Sequence, residues 1–147
     1  FRIDAYYDLH SKHALPVLNR MLAEMARLME SLSDEADDLA VCLTDGTCAL
    51  FLPDLSLDRA IDQVELVRRK IAQAAFRCSN NEMRVTVSCG VVELERKESA
   101  LDALDRARAA ADAAIAHDSN CTFADDGNGS QLVTRDPIEV EERVVAI

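Results

Sequence analysis

The stretch that most constrains this chain is Ala40-Val41-Cys42-Leu43-Thr44-Asp45-Gly46-Thr47-Cys48-Ala49-Leu50-Phe51-Leu52-Pro53. Two apolar, strand-forming runs flank Thr44-Asp45-Gly46-Thr47. An Asp-Gly pair between such runs is a strong hairpin signal, because the reversal needs residues that tolerate positive φ. Pro53-Asp54 ends the second run. A chain with this hairpin at its centre has to build a sheet.

Helical periodicity supplies the cover for that sheet. From about Ala14 to Leu32, the residues Leu15, Leu18, Met21, Leu22, Met25, Leu28 and Met29 recur at helical spacing, with Pro16 in the first turn. A second helix is expected from about Leu57 to Ala75, started by Ser56 or Asp54, with Ile61, Val64, Leu66, Val67 and Ile71 on its apolar face. A third, very rich in Ala, follows Ser99 and runs to about Ala116, where Ala103, Leu104, Ala107, Ala111 and Ile115 allow close packing on a sheet. Phe1 to Tyr7, Val85 to Val92 and Thr122-Phe123 read as strands. Loops are expected over Ser33 to Asp38, Cys78 to Asn81 and Asp125 to Ser130. Asp136, Pro137 and Glu139 form a capping pattern, so a helix is expected over Ile138 to Ile147. The order predicts an α/β fold of the α+β sandwich kind, with a central mixed, mainly antiparallel sheet flanked by helices. The expected organisation is a domain over 1–123 whose first strand is cut short, a loop over 124–135, and over 136–147 the start of a linker helix to a following domain.

A length of 147 residues suits one domain with a real core. The net charge is −11, which opposes binding to nucleic acid or an anionic membrane. No apolar run approaches membrane-spanning length. The five cysteines are Cys42, Cys48, Cys78, Cys89 and Cys121. Their count is odd and none stands in a C-x-x-C pair, so buried free thiols in a reducing cytoplasm are expected rather than zinc ligands or a disulfide. Cys42 and Cys48 flank the turn closely enough to face each other.

Taken together, Phe1 to about Phe123 resembles a GGDEF domain, the diguanylate cyclase, nucleotide-cyclase-like fold. Ile3-Asp4-Ala5-Tyr6-Tyr7 resembles the family's first core strand, and Leu18 to Met29 its following helix. Thr44 to Pro53 stands where the family has its signature and the apolar strand after it. Val85-Thr86-Val87-Ser88-Cys89-Gly90-Val91 is similar to its vTvSiGva strand, and Ala107 to Asn120 to its late AD-x-ALY helix. The resemblance implies a site at the turn in which backbone glycines meet a guanine nucleotide. Two carboxylates, one from the signature and one from the first strand, would hold Mg²⁺.

The residues at those positions differ. The signature reads Thr44, Asp45, Gly46, Thr47, Cys48, with Thr47 at the acidic position. Arg2 stands at the first-strand carboxylate, and arginine cannot ligate a metal. His10 replaces the guanine-reading Asn and Asn19 its acidic partner; Ile115 and Ser119 replace late-helix basic residues. The product-inhibition Arg-x-x-Asp reads Glu35-Ala36-Asp37-Asp38, so Glu35 and Asp38 mark a degenerate inhibitory site. Asp4, Asp8, His10, His13 and His117 read as solvated or structural residues. The acidic run Asp34 to Asp38 reads as a solvated loop.

The resemblance therefore implies a vestigial signature, no catalytic residues, no metal and no cofactor. The expected chain is not an enzyme. It is a regulatory or scaffolding domain of cyclic di-GMP signalling, which dimerises or docks a protein. The expected partners are neighbouring domains of the same chain, an EAL phosphodiesterase-type domain above all. The expected setting is the cytoplasm, in GGDEF–EAL tandem proteins that control type IV pili. The alternative is a non-catalytic sensor of GTP or cyclic di-GMP, which requires Arg2, Arg84 or Arg106 to converge on the turn.

Overall fold

The computed structural model describes residues 1–31, 39–43, 45–79 and 81–147. Glu35, Asp38 and Thr44 lie outside the described residues. In chain order the elements are β1 (Arg2–Ile3), α1 (Tyr6–Lys12), α2 (Leu15–Glu30), β2 (Leu39–Cys42), β3 (Cys48–Phe51), α3 (Leu57–Gln73), β4 (Ala74–Cys78), β5 (Asn81–Arg84), β6 (Val87–Val92), α4 (Ala100–His117), β7 (Thr122–Asp125), β8 (Ser130–Leu132) and β9 (Arg143–Ala146).

The sheet at the centre has the order β1-β6-β7-β8, with β6 and β7 parallel and the outer pairs antiparallel. The β2–β3 hairpin joins it through an antiparallel bridge between Arg2 and Thr47. A further sheet has the order β5-β4-β9. The mixed α/β class expected from the sequence is the one observed.

Alternation along β6 decides which helix lies on which face. Gly90 points at α4. A Cβ there would stand 1.9 Å from the Ala107 carbonyl oxygen, so only glycine allows so close an approach. Cys89 points the other way and is paired in register with Thr122, whose hydroxyl donates to Glu65 of α3. Helices α3 and α4 thus sandwich β6. The alanines of α4 make this possible: Ala110 and Ala114 are fully buried, and no longer side chain fits between the helix and the strand. Ser99 caps α4 as expected, its hydroxyl accepting the Asp102 N–H at 3.1 Å.

The methionine stripe of α2 is core. Leu18, Met21, Met25 and Met29 have no exposed surface, and α2 packs on β2 and α3. Full burial of such a side chain stabilises by about 1.5–3 kcal/mol before entropy is counted.

Three local expectations are corrected. Strand β1 is only two residues long, and Tyr6 to Lys12 turns into a helix, entered through Ala5 at φ 53°. Where a loop between a helix and a strand was expected, Cys78 pairs with Asn81 across a β4–β5 hairpin. The helix expected over Ile138 to Ile147 does not form. Instead Arg143–Ala146 runs parallel to β4, and Ile147 donates its N–H to the Arg77 carbonyl at 2.8 Å. The β-branched pair Val144-Val145 fits a strand, and the open edge of β4 offers hydrogen bonds that outweigh the local capping signal.

Candidate functional site

The signature turn is assembled by its own backbone and by β1. Leu43 donates its N–H to the Thr47 carbonyl at 2.7 Å, and Gly46 donates to the Leu43 carbonyl at 3.2 Å. The Asp45 carboxylate accepts the Thr47 N–H at 2.9 Å, which is why Asp suits this place. Gly46 has φ +80°, and a Cβ on it would lie 2.6 Å from the Tyr6 ring. Glycine is therefore required twice over, by conformation and by the ring above it. Ile3 donates its N–H to the Gly46 carbonyl at 3.0 Å, fixing the turn against β1. The Tyr6 phenol is pushed above its ordinary pKa by burial and then by the Asp45 charge.

Cys42 and Cys48 face each other directly across the hairpin and are joined in a disulfide. The expectation of free thiols is corrected here. It holds for Cys78, Cys89 and Cys121, which are free. Cys89 is fully buried and its thiol is pushed up to about 12 by that burial.

Asp4 is the polar hub beside the turn. It accepts hydrogen bonds from the Thr86 hydroxyl at 2.6 Å, the Ser88 hydroxyl at 2.7 Å and the Asn120 N–H at 3.1 Å. Its role is to tie β1 to β6 and to the loop after α4. A second hub lies behind it. Glu65 is buried and bound by Arg68 at 2.8 Å and Thr122 at 2.6 Å. Burial alone would raise its pKa. The Arg68 and Thr122 hydrogen bonds, with the Arg68 and Arg69 charges, outweigh that and lower it to about 2. Arg68 also donates to the carbonyl and side-chain oxygen of Asn120, each at 2.8 Å. The sequence had placed Leu66 rather than Glu65 on the inner face of α3. Helical spacing alone gave no sign that a carboxylate would be satisfied there.

The cations expected near the turn are committed elsewhere. Arg2 does reach it through its backbone, but its guanidinium pairs with Asp112 of α4. Arg84 pairs with Glu82 and Glu142, and Arg106 with Glu98 and Asp125. The sensor alternative required these side chains to converge, and the structure does not bring them together. Nor do the residues around the turn fit a divalent cation held by two carboxylates. Asp45 spends an oxygen on its own turn, and the first-strand position presents the Arg2 guanidinium. Among the described residues no group of three or more His, Cys, Asp or Glu could hold a metal ion. An apolar cavity of about 350 Å³ lies beside the hairpin, lined by Leu50, Leu57, Val64, Val91 and Ala103. Arg2, Thr47 and Arg108 also stand at its lining. Among the described residues, no helix is long and apolar enough to cross a membrane.

Comparisons with known proteins bear on the same region. The family model described as "Diguanylate cyclase, GGDEF domain" matches residues 2–121. No curated protein matches. Among solved structures, diguanylate cyclase SiaD, solved in complex with its activator SiaC from Pseudomonas aeruginosa, superposes with a TM-score of 0.74 at 24% identity. The match covers 99% of this chain and 47% of that one, so the chain spans about half the length of the structure it resembles. That likeness shows the fold. The family match corrects the expectation that the chain is no enzyme. The matched family is one of enzymes, and the substitutions at Arg2 and Thr47 do not show that the chain has left its chemistry.

Proposed function

The chain belongs to the GGDEF family of diguanylate cyclase domains, and on that premise we propose that it serves cyclic di-GMP signalling as a regulatory domain that docks another protein domain. One observation carries this reading: the outer face of the signature hairpin is apolar and exposed. Leu39 and Phe51 are cross-strand partners, exposed by 62% and 57%. Val41 and Leu43 follow Leu39 at two-residue spacing, so they share its face, and both are exposed. Four large apolar side chains on one side of a two-stranded ribbon form the kind of patch that marks protein contact. SiaD, with the same fold, is described with an activator bound, which supports a protein partner in this reading. A neighbouring EAL-type domain is the partner we propose within a tandem protein, and control of type IV pili is the setting that the resemblance suggests.

The test is a pair of substitutions, Val41→Asp and Phe51→Asp, made in the protein with its neighbouring domains present. Association of the domains is followed by sedimentation and by protection from limited proteolysis. Both variants should weaken association at least tenfold. Unchanged association in both sinks the docking reading. Formation of cyclic di-GMP from GTP/Mg²⁺ is assayed on the same preparations, so turnover is measured separately from docking.

A further inference from the structure

The disulfide around the signature turn carries an inference independent of docking. Cys42 and Cys48 are six positions apart, and their bond closes a small ring around the whole signature turn. Every other described tie on that turn is a hydrogen bond or a contact, among them Leu43 to Thr47, Gly46 to Leu43, Thr47 to Asp45, Ile3 to Gly46, and the Tyr6 ring over Gly46. The cross-link is thus the single covalent tie on an assembly that couples the hairpin to β1 and α1. It is also placed for exchange. Cys42 is only half-buried at the end of β2, next to the exposed Leu43, whereas Cys48 is 2% exposed. An incoming thiolate therefore meets the Cys42 sulfur first. Of the free cysteines, Cys89 and Cys121 do not compete well. Cys89 is enclosed in the core, and burial also pushes the Cys121 thiol up.

We propose that Cys42 and Cys48 form a reversible, redox-controlled cross-link that clamps the signature turn when oxidised and frees it when reduced by a small-molecule thiol such as glutathione. In the reducing direction, one glutathione thiolate attacks the Cys42 sulfur, forms a mixed disulfide and expels the Cys48 thiolate. A second glutathione thiolate attacks the glutathione sulfur of that mixed disulfide, releases glutathione disulfide and expels the Cys42 thiolate. The protein disulfide gains two electrons and two protons, and two glutathione molecules supply them. Oxidation by glutathione disulfide is the reverse sequence.

The protein is equilibrated in glutathione buffers running from fully reduced to fully oxidised, then trapped by alkylation and weighed intact. Amide hydrogen exchange of residues 43 and 45–48 is followed across the same series. The expected result is a reversible two-electron step, with exchange at Leu43 and Gly46 at least tenfold slower in the oxidised form. Cys42→Ser and Cys48→Ser should each abolish the step, and Cys78→Ser should leave it in place. The exchange comparison needs only the unsubstituted protein, so it decides the matter even if a variant fails to fold. The inference is overturned if the pair holds one state across the whole series, if the turn exchanges alike in both states, or if Cys42→Ser keeps the step.

Discussion

The Asp4 carboxylate accepts the backbone N–H of Asn120 at 3.1 Å, across 116 positions of sequence. The same carboxylate holds Thr86 and Ser88, so one side chain joins β1, β6 and the loop after α4. Asp4→Ala leaves three donors without their acceptor, and a loss of about 2–3 kcal/mol follows from the cost of such groups. Asp4→Asn retains an acceptor oxygen and should lose about half as much. Urea unfolding measures both, and an unchanged midpoint in Asp4→Ala would show the hub to be inert.

Glu65 sets an acid limit on stability. Its folded pKa is lowered to about 2, below an unfolded value of about 4.3. A depressed carboxylate contributes stability that is complete above the unfolded pKa and is lost as pH falls through the folded one. The melting temperature should therefore hold steady at neutral pH and decline between about pH 4.3 and about pH 2. Thr122→Val removes one of the donors that lower this pKa, so the lower end of that window should move upward. Melting curves recorded against pH check the direction.

Close packing at Gly90 gives a sharper result. A methyl group there meets the Ala107 carbonyl oxygen, a backbone atom that cannot swing aside. Gly90→Ala should destabilise by about 3 kcal/mol through overpacking. Ala107→Gly should not rescue it, because the clash is with the main chain. Thermal unfolding of the single and double variants distinguishes this from a side-chain collision, which the second substitution would relieve.

The terminal strand is the fourth case. Val145 is partly buried against the core and is paired with Phe76 in the β4–β9 ladder. Val145→Asp brings a charge to that contact and should cost about 2 kcal/mol. Amide exchange in β4 should quicken at the same time. Unaltered exchange across Ala74–Cys78 would contradict the pairing.

The elements legible in the sequence are those whose pattern is local. The stripe from Leu18 to Met29, the Asp45-Gly46 reversal, the Val87–Val92 run and the Ser99 cap each announce themselves within a few residues. What was not legible depends on distant partners. Asn81 reads as the end of a loop, and the short run after it pairs as a strand only because β4 is beside it. Asp136-Pro137-Glu139 signals a helix start, yet β4 captures the residues that follow as a strand. Tyr6 to Lys12 has no buried residue and hence no apolar stripe to reveal a helix. At the site, the turn and its glycine were readable, but Asp4's partners stand 82, 84 and 116 positions away. The substitutions at Arg2 and Thr47 were visible too. Membership of an enzyme family does not support reading them as lost activity.

The ring of Tyr6 over Gly46 has an optical consequence. The chain has two tyrosines and no tryptophan, and Tyr7 is 89% exposed. The tyrosine absorbance of the chain is therefore the sum of a solvated phenol and one seated on the signature turn. The solvated phenol is nearly blind to rearrangement. Tyrosine difference absorbance thus watches a single place in the molecule, with no label attached.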